Sequence, residues 1–387
     1  MSHLRAARIR NFKAIRDSGL IKLMPLTVFI GNNGAGKSSL IEAMQLFQNV
    51  VTDGVDTALS LFGGIQHVRH KEARSRSGQA LASDSLQIDP LQILFRAQVP
   101  EVGMTRSRLE LNMRPDETPY IQNESYSIAG DDSIRDEQAN KLFGDGRSML
   151  SLLNETRPLY SAVDSWQFMS LAPDLMGTAR QQQRVRGRVR LNRDGSNLAG
   201  YVMDLAGRAP ETFNGIVDAM RFVLPYVQDV RPVVPSSDID RRVYLELKER
   251  NFTVPGWLFS SGTLRMLAIL CLLRDPAPPP VIFIEELENG LDPRTIGLLV
   301  EEIRRAIQSK RTQVIATTHS PYLLDQLLFE HVVVVERNAA GTPEFWRPED
   351  EESLSTWREE FTLGQIYTMG QLHREKKTKT GRGRGGS

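Results

Sequence analysis

A chain of 387 residues, 40% apolar and 25% charged, has room for two or three domains and a sizeable core and has the composition of an ordinary globular protein. Its net charge of +1 singles out no partner by bulk electrostatics, and its single cysteine, Cys271, excludes a disulfide framework. No segment is apolar enough for long enough to span a bilayer, and Met1–Arg8 lacks the apolar stretch of a secretory signal, so a cytoplasmic location and no membrane partner are expected.

The first informative stretch in chain order is Gly31-Asn32-Asn33-Gly34-Ala35-Gly36-Lys37-Ser38-Ser39. The apolar run Leu26–Ile30 before it reads as a buried strand. Ser39–Phe47 after it has helical spacing, with Leu40, Met44 and Phe47 on one face. Strand, glycine loop and helix together are the context a phosphate-binding loop requires. Gly31, Gly34 and Gly36 allow the backbone to curl until its N–H groups face phosphate oxygens, and the helix start adds its positive dipole end. Asn32, Asn33, Gly34, Ala35, Gly36, Lys37, Ser38 and Ser39 are therefore the expected nucleotide contacts, with Lys37 on the outer phosphates and the Ser38 hydroxyl on Mg²⁺.

Residues 86–128 alternate apolar and polar in short runs such as Leu91–Phe95 and Leu109–Met113, which predicts antiparallel strands. Residues 131–228 look mainly helical, and 229–256 return to strands, including Arg242–Lys248. Within the helical region Arg180–Arg190 carries five arginines and no acid. It suits the phosphates of a nucleic acid, an acidic protein surface or plain solvent, and it lacks the aromatics that would stack bases.

Phe259–Leu270 places Ser260, Ser261 and Gly262 at a helix start, which fits either an anion site or an ordinary cap. Val281–Ile284 is a buried strand that ends in Glu285 and Glu286. The first carboxylate is expected at Mg²⁺, and the second is expected to orient the water that attacks the terminal phosphate. Asp292-Pro293 reads as the next helix start. Thr312–Thr318 is another strand, and His319 at its tip lies where a parallel sheet binds ligands. The tail from His373 to Ser387 is basic, glycine-rich and expected to be disordered.

These motifs, in this order, resemble those of the ABC-type ATPases of the SMC, RecF and OLD group, in particular short single-chain bacterial members without a coiled-coil arm or Toprim nuclease domain. Ile9–Ile15 is similar to the family's first strand and turn, Gly31–Ser39 to Walker A, Phe259–Arg265 to a degenerate signature, Ile284–Glu286 to Walker B, Asn289–Asp292 to the D-loop and Thr318–Ser320 to the His switch. The block Leu191–Ala199 and the ending Thr362–Tyr367 also resemble the short members. The resemblance implies an α/β fold: a P-loop ABC-ATPase core with a mixed sheet, an antiparallel β subdomain and a helical insertion. Its expected parts are 1–85 and 257–372 as the two halves of the core, 86–256 as strands plus insertion, and 373–387 as the tail.

The resemblance further implies ATP and Mg²⁺ as cofactors and a homodimer that closes on ATP. Ser261 and Gly262 would then serve the partner's nucleotide and Asp292 would be a further nucleotide contact, with Lys37, Glu286 and His319 as the catalytic set and Ser38 and Glu285 as the metal set. Three departures stand out: Glu285 replaces the usual aspartate, Thr263 replaces the second signature glycine, and the Q-loop glutamine is not placed, Gln66 and Gln98 both being candidates. The function this implies is an ATP-switched dimer that drives a separately encoded effector, such as a nuclease, in DNA metabolism or anti-phage defence. The alternatives are a nucleotide-dependent scaffold with negligible turnover and, less in keeping with the long insertion, a transporter ATPase subunit.

Overall fold

The computed structural model describes residues 2–71, 89–128, 131–134, 144, 146–181, 187–235 and 241–374. At its centre is a six-stranded sheet, ordered Pro343–Trp346, Val332–Arg337, Leu26–Ile30, Gln313–Thr318, Val281–Ile284 and Gln167–Met169. All neighbours are parallel except the outermost pair, Pro343–Trp346 with Val332–Arg337. The strands read as unbroken apolar runs because both faces are covered. Val28, Ile30, Ile282, Ile284, Val314 and Ala316 point into one core, while Phe29, Phe283, Ile315 and Val333 point into the other.

The first core is closed by helices. Ser261–Arg274 is buried from Thr263 to Leu273 apart from Arg265, so it is apolar all round and its Cys271 thiol, fully buried, is pushed up in pKa. Pro293–Gln308 is amphipathic and packs beside it. Leu198–Arg208 and Pro210–Val223 complete this layer together with a four-stranded sheet that contains Asp229–Val233, Arg242–Lys248 and Thr253–Pro255. Asp275, just past the signature helix, is 2% exposed and accepts from Tyr201, Arg188 and Arg208, which ties the helical segment to the core.

The second core lies between the central sheet, the helix Lys37–Asp53 and a seven-stranded antiparallel sheet. That sheet pairs His3–Phe12 with Leu91–Val99, then Gly103–Met113, then Pro119–Ile128. Phe47, Phe95, Trp166 and Phe283 meet edge to face in this core, at centroid distances of 4.9, 5.3 and 5.9 Å along the chain of contacts.

The partition differs from the sequence expectation in two places. His3–Phe12, assigned to the core, is a strand of the antiparallel sheet. Gln167–Met169, assigned to the insertion, is an edge strand of the central sheet, paired with Val281–Ile284. The region expected to be mainly helical thus contributes a strand to the central sheet. Residues 182–186 of the arginine-rich stretch and 375–387 of the tail lie outside the described residues. Of the five arginines in that stretch, Arg188 and Arg190 are tied to Asp275 and Asp164. No helix among the described residues is long and apolar enough to cross a membrane.

Candidate functional site

Parallel strands carry their tips to one edge, and the chemistry-bearing residues follow those tips. Ile30 leads into the glycine loop, Ile284 into Glu285 and Glu286, and Thr318 into His319. The strand ending at Thr318 lies between the other two.

The loop is shaped by close approach. A Cβ on Gly31 would sit 2.0 Å from the Val335 carbonyl oxygen, and one on Gly36, whose φ is +114°, would sit 2.9 Å from Pro343 Cγ. Arg337, at the end of the neighbouring strand, donates through Nε and Nη2 to the Gly34 carbonyl at 3.1 and 2.7 Å and so braces the loop from outside. The helix Lys37–Asp53 begins at Gly36 without a side-chain cap, which leaves its first N–H groups directed at the loop cavity. Lys37 Nζ donates to the carbonyls of Gly31 at 2.6 Å and Asn32 at 3.0 Å. Burial pushes this ammonium down to about 8, against the pull of Glu286 and Glu288. Ser38 is exposed at the loop rim, whereas Ser39 is buried.

Glu286 has a φ of +50°, a left-handed conformation that costs a non-glycine residue about 1 kcal/mol or more. The turn that imposes it is held on three sides. Glu286 N–H donates to Thr317 Oγ1 at 2.9 Å, Leu287 N–H to the Thr317 carbonyl at 3.1 Å, and Asn289 Nδ2 to Glu286 Oε2 at 3.1 Å. The carboxylate itself is left exposed. Two residues on, Glu288 Oε1 accepts from the His319 N–H at 2.6 Å, while its Oε2 is buried without a hydrogen-bond partner among the described residues. Burial and the nearby Lys37 hold the His319 imidazole below its usual pKa despite Glu288 and Glu286, so it is neutral at pH 7. Lys37, Glu286, Glu288 and His319 therefore form one electrostatically coupled group.

Glu285 continues the edge pairing, with its N–H donating to the Met169 carbonyl at 2.9 Å. Its Oε1 accepts from Arg193 Nη2 at 2.8 Å. Hard oxygen donors suit Mg²⁺, and the Ser38 hydroxyl and the second Glu285 oxygen are donors of that kind. The residues present thus fit the cation expected from the sequence.

At the start of the signature helix Ser260 is the cap, its Oγ accepting from Thr263 N–H at 3.1 Å. Ser261 is exposed. A Cβ on Gly262 would lie 2.5 Å from the Gly290 carbonyl oxygen, so its lack of a side chain is already required by packing inside one protomer. Asp292 caps the helix Pro293–Gln308, accepting from Arg294 and Thr295 N–H and from Thr295 Oγ1 at 2.6 Å. Burial opposes it, but these donors hold its carboxyl below the usual range. Neither glutamine candidate is at a strand tip of the central sheet: Gln66 belongs to the short helix Ile65–Val68 and Gln98 pairs with His3 in the antiparallel sheet.

Sequence reasoning missed Thr317, Glu288, Arg337 and Arg193. Glu288 was visible as a third acid in four residues, and Thr317 as one of two threonines before His319. Arg337 and Arg193 are ordinary arginines until the topology brings strand ends together.

Comparison with known proteins gives the same reading of the fold. The family described as "AAA domain, putative AbiEii toxin, Type IV TA system" (AAA_21) matches residues 26–325, more than three quarters of the chain. The chain belongs to the AAA_21 family. Solved SMC heads share the fold of this AAA_21 protein. An SMC head bound to the C-winged helix domain of ScpA is 15% identical, with a TM-score of 0.56, over 91% of this chain and 99% of that one. A head domain with coiled coil and joint from Pyrococcus yayanosii is 11% identical, with a TM-score of 0.52, over 93% and 99%. One with an extended coiled coil, bound to the C-terminal domain of ScpA and derived from Pyrococcus furiosus, is 12% identical, with a TM-score of 0.51, over 93% and 99%. No curated protein matches by sequence. The AAA_21 chain thus has the mixed α/β fold of the SMC heads. No helix among the described residues exceeds the 17 residues of Lys37–Asp53, so none of them forms a coiled-coil arm.

Proposed function

We propose that this protein binds Mg·ATP and hydrolyses it, and that two copies close on two nucleotides to switch a separately encoded effector. The observation that carries the reading is the group at the strand tips, in which Lys37 feels Glu286 and Glu288, His319 feels Lys37, Glu286 and Glu288, and Glu288 accepts from the His319 N–H, beside the glycine loop that holds Lys37. Asn32–Ser39 would hold the phosphates, Ser38 and Glu285 the Mg²⁺, and Mg²⁺ would neutralise the charge that develops on the transferred phosphoryl group. Glu286, strained and exposed, would orient the attacking water, and neutral His319 would touch the terminal phosphate. Ser261, Gly262 and Asp292 would complete the site of the second copy, though Gly262 and Asp292 have structural duties of their own.

A role in DNA metabolism or anti-phage defence is in keeping with the family's toxin–antitoxin description and with the resemblance to SMC and RecF proteins. The effector, a nuclease among other choices, would be another polypeptide; a similar SMC head was solved bound to one, the C-winged helix domain of ScpA. The direct test is phosphate release from Mg·ATP by the wild type and by Lys37→Ala and Glu286→Gln, with nucleotide binding followed by calorimetry. Glu286→Gln should bind ATP and lose at least about a hundred-fold in turnover, while Lys37→Ala should lose binding. Wild-type binding without turnover would replace the ATPase reading with that of a nucleotide-held scaffold.

A further inference from the structure

The block Leu191–Ala199 has a sequence that the nucleotide site does not account for. In the structure most of it builds a rigid loop. Asn197 Oδ1 accepts from Asn192 N–H at 2.7 Å, Asn197 Nδ2 donates to the Arg190 carbonyl at 2.8 Å, and Asp194 Oδ1 accepts from Ser196 N–H at 2.9 Å. Gly195, at φ +73°, packs so closely that a Cβ would lie 2.8 Å from Met176 Cγ. The loop then runs beside the chain that leaves the edge strand: Ser170 and Ala172 donate their N–H groups to the carbonyls of Arg193 and Asp194 at 2.9 and 3.0 Å. Every one of these contacts fixes the backbone from which Arg193 reaches Glu285 Oε1 at 2.8 Å.

Arg193 is thus delivered to the carboxylate expected to serve the metal, in a turn where Glu285, Glu286 and Glu288 crowd three acids into four residues. Like charges this close repel, and a cation beside them lowers that cost. The fixed fork of an arginine suits a carboxylate better than a lysine does. The extra methylene of Glu285, relative to the usual aspartate, gives its carboxylate the reach to meet a guanidinium presented from the neighbouring loop.

We infer that Arg193 is a place-holder cation, a positioning residue that neutralises Glu285 before Mg²⁺ arrives and that Mg²⁺ must displace. Through it, metal occupancy is set against the Leu191–Asn197 loop, which leads directly into the helix Leu198–Arg208. The inference rests on the reading of Ser38 and Glu285 as the metal set.

The test uses Mn²⁺ as the probe, its binding to the full chain followed by electron paramagnetic resonance in the presence of a non-hydrolysable ATP analogue. Arg193→Gln should bind Mn²⁺ about five-fold more tightly than the wild type, the scale of a half-exposed ion pair. Arg193→Lys, which keeps the charge, should lie within about two-fold of the wild type. In Glu285→Gln background the Arg193→Gln effect should vanish, because the two residues act on one carboxylate. Unchanged or weakened Mn²⁺ binding in Arg193→Gln, with an unaltered melting temperature, overturns the place-holder. If Arg193→Gln does not fold, the comparison of Arg193→Lys with Glu285→Asp decides it: a place-holder requires tighter Mn²⁺ binding in the aspartate variant, whose shorter side chain draws away from Arg193, and equal or weaker binding overturns it. Failure of the wild type to bind Mn²⁺ with nucleotide is a different result, and it overturns the metal reading itself.

Discussion

Lys37 shows how one residue's environment becomes a measurable pH dependence. Its ammonium titrates near 10.5 in the unfolded chain and at about 8 in the fold, with burial as the main cause. Between those values the unfolded chain holds a proton that the folded chain has lost, so stability rises with pH through that window. Lys37→Met should flatten the rise, as read from denaturation midpoints between pH 7.5 and 10. Phosphates favour the ammonium, so ATP binding above pH 8 takes up a proton, and affinity should weaken by up to about ten-fold for each further pH unit. Calorimetry in buffers of different ionisation heat would detect that uptake, and a pH-independent affinity would mean that Lys37 does not meet the phosphates. Glu288→Gln is expected to weaken the hold on the His319 N–H, which Glu288 Oε1 accepts at 2.6 Å, and to lower turnover by about ten-fold or more while ATP still binds. Turnover at the wild-type level would leave Glu288 a purely structural acid.

Elements explain why some of this was legible and some was not. Leu26–Ile30, the glycine loop and the following helix were readable because an apolar run, a glycine pattern and a helical period coincide there. Leu91–Phe95 and Leu109–Met113 were readable because Leu91, Ile93, Phe95, Leu109 and Leu111 alternate into the second core, with the polar Gln92, Glu110 and Asn112 between them even though these are buried too, and the two runs pair directly, Leu91 opposite Leu111. Gln167–Met169 was not, since a three-residue strand at a sheet edge, with only Phe168 and Met169 buried, carries no period. The helix of Pro293–Gln308 was announced by Asp292-Pro293, and its cap is what the structure shows for Asp292. Asp292→Ala should cost about 1 kcal/mol of stability without nucleotide. Gly262 makes the sharper test, because its collision with the Gly290 carbonyl is internal. Gly262→Ala should lower the stability of the nucleotide-free protein by about 1 to 3 kcal/mol, while Ser261→Ala should leave it unchanged. Equal, unperturbed melting curves for both variants would show that the loop yields and that Gly262 matters only to a ligand.

For the molecule as a whole, two cores on opposite faces of one sheet make the nucleotide edge a rigid platform. Arg193 and Arg337, ordinary arginines in the sequence, reach Glu285 and the glycine loop only through the topology. Asn32, Asn33, Gly34 and Ser38 of the glycine loop are exposed, as is Ser261, and the proposed closed pair of copies needs them accessible. The central claim is therefore about mass. Glu286→Gln protein, able to bind but not to hydrolyse, should be measured by light scattering after size exclusion, with and without Mg·ATP. The account predicts 43.6 kDa alone and about twice that with Mg·ATP. A mass that stays at 43.6 kDa while ATP is demonstrably bound would contradict it.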